Sequence, residues 1–215
     1  MYAARSGTQW RVYRGEEEIA GVFNNITEAA CNLSGTACAV LASQGIGMVA
    51  ILFGEEFNQP LVSRVFDRLD GLALHPSQAI YGCRAMMNGV WLLVMNGAQY
   101  GSGQLNNGRP YFTHDGAELL HFGCDTDCGL SINGKRTLLN MNLNPEIQYA
   151  RKPKSETFAF TTTTSLVFRK VEKNDLWVSY MCDETSLPRY NWRTDSYEAL
   201  GRINQRLYFL SCKAF

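Results

Sequence analysis

The chain has 215 residues, and its 20 basic side chains balance 20 acidic ones, so its formal net charge at neutral pH is zero. Hydrophobic residues make up 46% of the chain, which is enough for a substantial core and excludes a disordered protein. The charge balance leaves no excess of cations to neutralise phosphates, so we expect no nucleic acid among its partners.

The first part of the chain, residues 1–75, is predicted to be a mixed α/β portion with one or two helices. Residues 8–14 alternate as a strand does, and Asn25 is a suitable N-cap for a short helix over residues 26–31. The clearest helix is predicted to begin at Pro60, because proline suits an early helical position. Its apolar residues share one face at a spacing of three or four, namely Leu61, Val62, Val65, Phe66 and Leu69.

Residues 35–54 contain no charged side chain and are about as long as a helix that crosses a bilayer. The centre of this segment is Ser43-Gln44-Gly45-Ile46-Gly47, which combines a polar amide with two glycines that weaken a helix. The flanking residues 37–42 and 48–53 are short and apolar. We therefore predict two buried strands joined by a tight loop, and no membrane span.

Beyond residue 75 the sequence is typical of β-hairpins. Asn-Gly pairs, which favour the type I′ turns that connect paired strands, occur at residues 88–89, 96–97, 107–108 and 133–134. Two of them bracket the apolar run Val90 to Met95. Residues 76–215 are therefore predicted to form an antiparallel meander, sandwich or barrel.

The predicted fold class is consequently β-rich α+β. The chain is predicted either to divide near residue 75 into these two portions or to form one continuous domain. The Asn-Gly pairs are spaced by 8, 11 and 26 residues. This uneven spacing argues against a repeat of fixed length such as the blades of a propeller.

The cysteines and the N-terminus bear on the compartment. Seven cysteines at irregular spacing do not suggest a disulfide framework, so we expect reduced thiols in a cytosolic chain. The N-terminus shows no apolar run of the kind that a signal peptide needs. The expected location is the cytoplasm or a virion.

The densest group of reactive side chains has the pattern H-x6-H-x2-C-x3-C. It comprises His114, His121, Cys124 and Cys128. Nitrogen and sulfur ligands at such spacing can share one zinc ion, which is the one cofactor that the sequence suggests, with His114, Cys83 or Cys182 as the fourth ligand beside His121, Cys124 and Cys128. Paired thiol and imidazole groups could also serve a cysteine hydrolase, although no nucleophile motif accompanies them.

Aromatic residues and arginines alternate near the C-terminal end. They are Arg189, Tyr190, Trp192, Arg193 and Tyr197. These residue types are enriched at the energetic centres of protein interfaces, and they also stack on sugars. Residues 206–215 form an apolar final strand that needs a sheet to join, in this chain or in another subunit.

Three functions are compatible with these features. The first is a non-enzymatic structural or assembly protein that self-associates and has other protein subunits as partners, for example in a virion or phage tail. The second is a carbohydrate- or ligand-binding β module that uses the aromatic residues. The third is a zinc- or cysteine-dependent hydrolase.

Overall fold

The computed structural model describes residues 2–101, 108–113, 115–124, 128–138, 149–152, 157–161, 166–170, 176–179 and 181–214. All regular secondary structure in these residues is β-strand. The strands form six small sheets, and each sheet consists of strands that follow one another in the sequence. Neighbouring strands are antiparallel, as in β1 and β2 or β22 and β23.

The first three sheets occupy the N-terminal half of the chain. The first contains β1 (Tyr2–Ser6), β2 (Gln9–Arg14) and β3 (Glu17–Phe23). The second contains β4 (Asn25–Cys31), β5 (Ala37–Gln44), β6 (Gly47–Gly54) and β7 (Leu61–Val62). The third contains β8 (Arg68–Leu74), β9 (Tyr81–Met87), β10 (Val90–Met95) and β11 (Ala98–Gln99).

The other three sheets follow in order. The fourth contains β12 (Tyr111–Phe112), β13 (Leu119–Cys124), β14 (Cys128–Ile132) and β15 (Lys135–Leu138). The fifth contains β16 (Tyr149–Arg151), β17 (Thr157–Thr161), β18 (Leu166–Lys170) and β19 (Leu176–Val178). The sixth contains β20 (Glu184–Thr185), β21 (Arg189–Asn191), β22 (Ser196–Ile203) and β23 (Arg206–Lys213). Both β20 and β21 pair with one edge of β22, and β23 pairs with its other edge.

Successive sheets pack against one another through apolar clusters. Val12 and Phe23 of the first sheet lie in one cluster with Val40 and Phe53 of the second. Similar clusters join the second sheet to the third, the fourth to the fifth, and the fifth to the sixth. The first strands of neighbouring sheets also lie side by side, since β4 contacts β8, β8 contacts β12 and β16 contacts β21. The sheets are therefore arranged around a shared centre, and in the second to sixth sheets the strands nearest this centre come first in the sequence.

The helix predicted over residues 26–31 is strand β4, so this prediction is wrong. Side chains along β4 alternate between exposed and partly buried, which is the period of a strand. The Glu28 carboxylate accepts hydrogen bonds from the backbone N–H groups of Gly71 and Leu72, at 2.9 and 3.0 Å. Pairing with β5 and this link to β8 outweigh the helix propensity of the segment.

The helix predicted to begin at Pro60 is also wrong. Leu61 and Val62 form β7 and pair with Leu52 and Ile51 of the second sheet. Phe66 is buried and makes an isolated bridge to Met48, whereas Val65 is exposed. The apolar spacing therefore arises from separate extended segments and not from one helical face: β7 and Phe66 pair with β6, and Leu69 belongs to β8 in the third sheet.

The apolar segment of residues 35–54 is a buried hairpin, as predicted. Strands β5 and β6 pair over their full length around the tight turn at Gly45, whose φ is +62°. Nearly every side chain of both strands is buried. The described residues include no helix with the length and apolar character that a membrane crossing requires. The predicted boundary near residue 75 falls between β8 and β9, which pair within the third sheet.

The exclusion of a repeated unit is wrong, because the Asn-Gly pairs occupy two different hairpin positions. Asn88 lies in the β9–β10 turn, whereas Asn96 and Asn133 lie in the β10–β11 and β14–β15 turns. The Asn96 and Asn133 side chains accept equivalent hydrogen bonds, from the N–H of Tyr81 at 3.0 Å and the N–H of Leu119 at 2.8 Å. The third and fourth sheets are therefore copies of one unit.

The innermost strands confirm this repetition. They begin at residues 25, 68, 111, 149 and 184. A similar unit thus recurs about every 40 residues, a period typical of repeat architectures. The spacing of the Asn-Gly pairs mixes distances within one unit with distances between units, so it hides this period.

Two cysteines form a disulfide, so the expectation of reduced thiols is wrong for this pair. Cys31 at the end of β4 and Cys38 near the start of β5 are directly opposite each other, with Cα atoms 3.9 Å apart. The bond closes the loop between the two strands. Cys83, by contrast, is a free thiol in the core, where burial raises its pKa well above its ordinary value.

Candidate functional site

The sixth sheet has one packed face and one exposed face. Tyr197 and Ala199 of β22 belong to the cluster that joins this sheet to the fifth. The alternate residues of β22 and β23 point to the other side, which we call the outer face. There Leu200, Leu207 and Phe209 are 47%, 72% and 59% exposed. Leu200 and Phe209 are direct cross-strand neighbours, so their side chains form one continuous apolar strip with Leu207.

Charged side chains of both signs flank the apolar strip on the outer face. Arg202, which is the cross-strand neighbour of Leu207, forms an ion pair with Glu184 at 3.1 Å. At the other end, Arg189 contacts Glu198 at 2.9 Å. Burial opposes the charged form of Glu198, but hydrogen bonds from surrounding side chains hold its pKa below its ordinary value. The outer face is therefore electrically balanced.

Two of the five predicted interface residues pack against the fifth sheet, Tyr197 fully buried and Tyr190 half-buried. Tyr197 is buried, and its hydroxyl donates a hydrogen bond to the Thr157 carbonyl at 2.6 Å. Tyr190 packs against Tyr197 with ring centroids 5.8 Å apart and donates a hydrogen bond to Asp195 at 2.8 Å. Both tyrosines therefore connect the fifth and sixth sheets.

The other three predicted interface residues are at the surface. Trp192 lies in the turn between β21 and β22 with its ring exposed, and the Arg193 guanidinium covers the ring at 5.1 Å. Arg189 is exposed apart from its ion pair with Glu198. The aromatic segment predicted as an interface is thus adjacent to the outer face and contributes one exposed ring to the surface.

The predicted zinc ligands are described only in part. His121 is buried in β13, with Nε2 3.3 Å from the Gly108 carbonyl oxygen. Cys124 and Cys128 are opposite each other where β13 and β14 meet. His114 and the two thiol side chains lie outside the described part of the structure. Within that part, no three His, Cys, Asp or Glu residues are grouped as metal ligands, and the zinc site stays a prediction.

Leu200, Leu207 and Phe209 were not among the site residues predicted from the sequence. The signal was present in β23, where Leu207, Tyr208, Phe209 and Leu210 are consecutive apolar residues. Successive residues of a strand point to opposite faces, so this run requires apolar contacts on both sides of the sheet. The fifth sheet provides such contacts on one side only.

Comparison with solved structures identifies the architecture. The chain is similar to a structure described as the Dos1 propeller, with a TM-score of 0.54, 10% identity and 96% of this chain covered. The fold is a β-propeller. Its six sheets are blades, which overturns the predicted α+β class with N-terminal helices. A propeller repeats small antiparallel sheets around a centre, and this repetition distinguishes it from the predicted sandwich or meander.

Two further structures match the propeller at similar levels. A structure of a eukaryotic initiation factor has a TM-score of 0.55, 10% identity and 99% coverage of this chain. A structure from a study of two prolyl endopeptidases has a TM-score of 0.57, 10% identity and 98% coverage. The chain spans 62% and 39% of the length of these two proteins and 63% of the Dos1 chain. No family model and no curated protein matches its sequence.

Proposed function

We propose that this propeller is a non-enzymatic scaffold that self-associates through the outer face of its sixth blade. The observation that carries the proposal is the exposed strip of Leu200, Leu207 and Phe209 on a regular sheet face. Contiguous exposed apolar surface is uncommon on monomers and marks sites of association. A strip of this kind with charged residues at its margins has the composition of an interface core and rim.

A second copy of the chain suits this face better than a partner of one charge. Its apolar strip lies between the Arg202–Glu184 pair and the Arg189–Glu198 pair, so a twofold rotation brings apolar surface onto apolar surface. The net charge of zero means that two copies do not repel each other.

The first blade is the less suitable partner surface within a second copy. On the side away from the second blade it presents stacked Tyr2 and Tyr13 rings, 5.3 Å apart, beside an ion pair between Arg11 and Glu18. Such a surface is more polar than the strip on the sixth blade. Contact between two sixth blades gives a closed dimer, whereas contact between a sixth and a first blade gives open chains.

Sedimentation velocity over a range of concentrations tests this proposal. We expect the wild-type protein to dimerise, and Leu207→Lys combined with Phe209→Lys to sediment as a monomer with an unchanged far-UV circular dichroism spectrum. The matched control is Ile46→Lys at the tip of the β5–β6 hairpin, which adds a cation at another fully exposed apolar residue. A wild-type protein that stays monomeric at high micromolar concentration contradicts the proposal, as does a control that dissociates equally.

The experiment tests only whether the chain forms a dimer. Assembly into a virion or phage tail, and a location in the cytoplasm or a virion, remain predictions. The carbohydrate-binding alternative requires the rings of Tyr190 and Trp192 to stack on a sugar. Tyr190 packs against Tyr197 and is hydrogen-bonded to Asp195, so its ring is already engaged within the protein. Trp192 alone offers a single stacking surface, which does not make a platform.

A further inference from the structure

The contact between the third and fourth blades differs from the other contacts between neighbouring blades. In the described residues, apolar clusters fill the contacts of the first blade with the second, the second with the third, the fourth with the fifth and the fifth with the sixth. Between the third and fourth blades lies a cavity of about 310 Å³. This volume is at the lower end of the range for small-molecule sites.

Apolar and aromatic side chains from both blades line much of the cavity. They are Ile80, Met95 and Tyr100 of the third blade and Phe112 and Leu119 of the fourth. Gln78, Asp115 and Asn133 contribute polar side chains to the same lining. The accessible surface of the lining is more polar than apolar, which suits a ligand with a charged or polar head group.

His75 forms a fixed wall between the two blades. Its Nδ1 accepts hydrogen bonds from the backbone N–H groups of Ser77 and Gln78, at 3.2 and 3.0 Å. Burial lowers the pKa of His75, so the imidazole is neutral at physiological pH. A Cβ added to Gly116, which has a φ of +74°, would overlap the His75 ring. The glycine therefore allows the fourth blade to approach the imidazole closely.

Asp115 and Asn133 are also held in place before any ligand arrives. Asp115 Oδ1 accepts hydrogen bonds from the Thr113 hydroxyl at 2.8 Å and from the Ala117 N–H at 3.0 Å. The Asn133 amide accepts a hydrogen bond from Leu119 and donates one to the Ala117 carbonyl. Because these side chains are already ordered, a ligand would bind without the entropic cost of immobilising them.

The charge of the lining determines the class of ligand. Asp115 is the one ionised side chain among the described residues that line the cavity, since His75 is neutral. The carboxylate repels anions and stabilises a cation. Tyr100 and Phe112 in the same lining supply aromatic rings, the side chains on which ammonium groups are bound by cation–π attraction. We propose that the cavity binds a small organic cation with an ammonium head group.

Calorimetric titration with choline tests this proposal, with 3,3-dimethyl-1-butanol as an uncharged analogue of the same shape. We expect choline to bind and the analogue to bind at least about tenfold more weakly, the difference of about 1.4 kcal/mol that one exposed charge interaction supplies. Asp115→Asn retains an acceptor for Thr113 and Ala117 but removes the charge, so it should weaken choline binding by a similar factor and leave thermal stability unchanged.

The matched control is Asp67→Asn, which makes the same charge change in the third blade. Asp67 Oδ2 accepts the Asn88 N–H at 2.7 Å and is not part of the cavity lining. This variant should bind choline as the wild type does. The proposal is overturned if choline does not bind, if the uncharged analogue binds equally, or if both aspartate variants bind choline alike.

Discussion

The ion pair between Glu118 and Arg151 provides the sharpest test of how the fourth and fifth blades are held together. Glu118 directly precedes β13, and Arg151 ends β16. Glu118 Oε1 lies 3.3 Å from Arg151 Nη2, and the two side chains are only 8% and 7% exposed. Substituting one partner leaves the other charge buried opposite an apolar group, which costs about 3–5 kcal/mol. Replacing both by apolar residues of similar volume removes both buried charges and is expected to be near neutral.

The expected magnitude is a large fraction of the stability of the chain. Domains unfold with a total of about 5–15 kcal/mol, so either Glu118→Leu or Arg151→Met should remove about 30–50% of a value in the middle of that range. For a chain of this length the loss corresponds to a fall in melting temperature of about 6–20 °C. The double substitution should recover most of this loss.

Urea denaturation of the four proteins of this double-mutant cycle, followed by tryptophan fluorescence, measures the coupling. The matched control is the pair of Arg11 and Glu18 in the first blade, which lie 2.6 Å apart and are each 35% exposed. Because water screens this pair, its removal should cost less than about 1 kcal/mol. The reasoning is refuted if the double substitution at Glu118 and Arg151 loses as much stability as the two single losses added together.

Three further predictions concern other contacts. Glu28→Ala should cost about 1–3 kcal/mol in urea denaturation, because two partly buried backbone N–H groups of β8 lose their acceptor. The pKa of His75 is lowered in the folded state, so stability should be complete above pH 6.5 and fall below it, and His75→Gln should flatten this slope. Cys31→Ser with Cys38→Ser should cost about 2–3 kcal/mol, and alkylation without reductant should leave both wild-type cysteines unmodified.

The hairpins were predictable because their signals are local. The turn at Gly45 between two apolar runs needs only residues within one segment, and the pairing of β5 with β6 follows from it. The same is true of Val90–Met95 between two Asn-Gly turns, which is strand β10. Each of these turns has positive φ angles that glycine and asparagine adopt at low cost.

The helices were wrongly predicted because the deciding contacts are distant in sequence. Glu28 belongs to a segment with good helix formers, and its strand conformation is stabilised by contacts with β8, more than 40 residues away. Phe66 likewise pairs with Met48 across a loop. A pattern within ten residues cannot distinguish an apolar helical face from two extended pieces that meet the same strand.

The candidate surface was predictable in its location but not in its residues. The apolar character of β23 indicated a final strand in need of a partner, and the structure places the exposed strip there. Tyr190 and Tyr197 share the composition of interface residues, but the register that pairs them also turns them toward the fifth blade. Which side of a sheet faces its neighbour depends on the order and packing of blades, which a single sequence does not contain.

The repeat is most visible in the polar side chains that accept hydrogen bonds from backbone N–H groups at or next to the hairpin turns. Asp67 and Asp183 precede the innermost strands of the third and sixth blades, and their carboxylates accept the N–H groups of Asn88 and Asn204, at 2.7 and 2.8 Å. Asn96 plays the corresponding capping role at the next turn of the third blade. Apolar residues vary between blades because each contact between blades is filled differently, and one is left open as a cavity. Equivalent caps recur between the third and sixth blades and between the third and fourth, so polar capping residues retain a period that the apolar pattern loses.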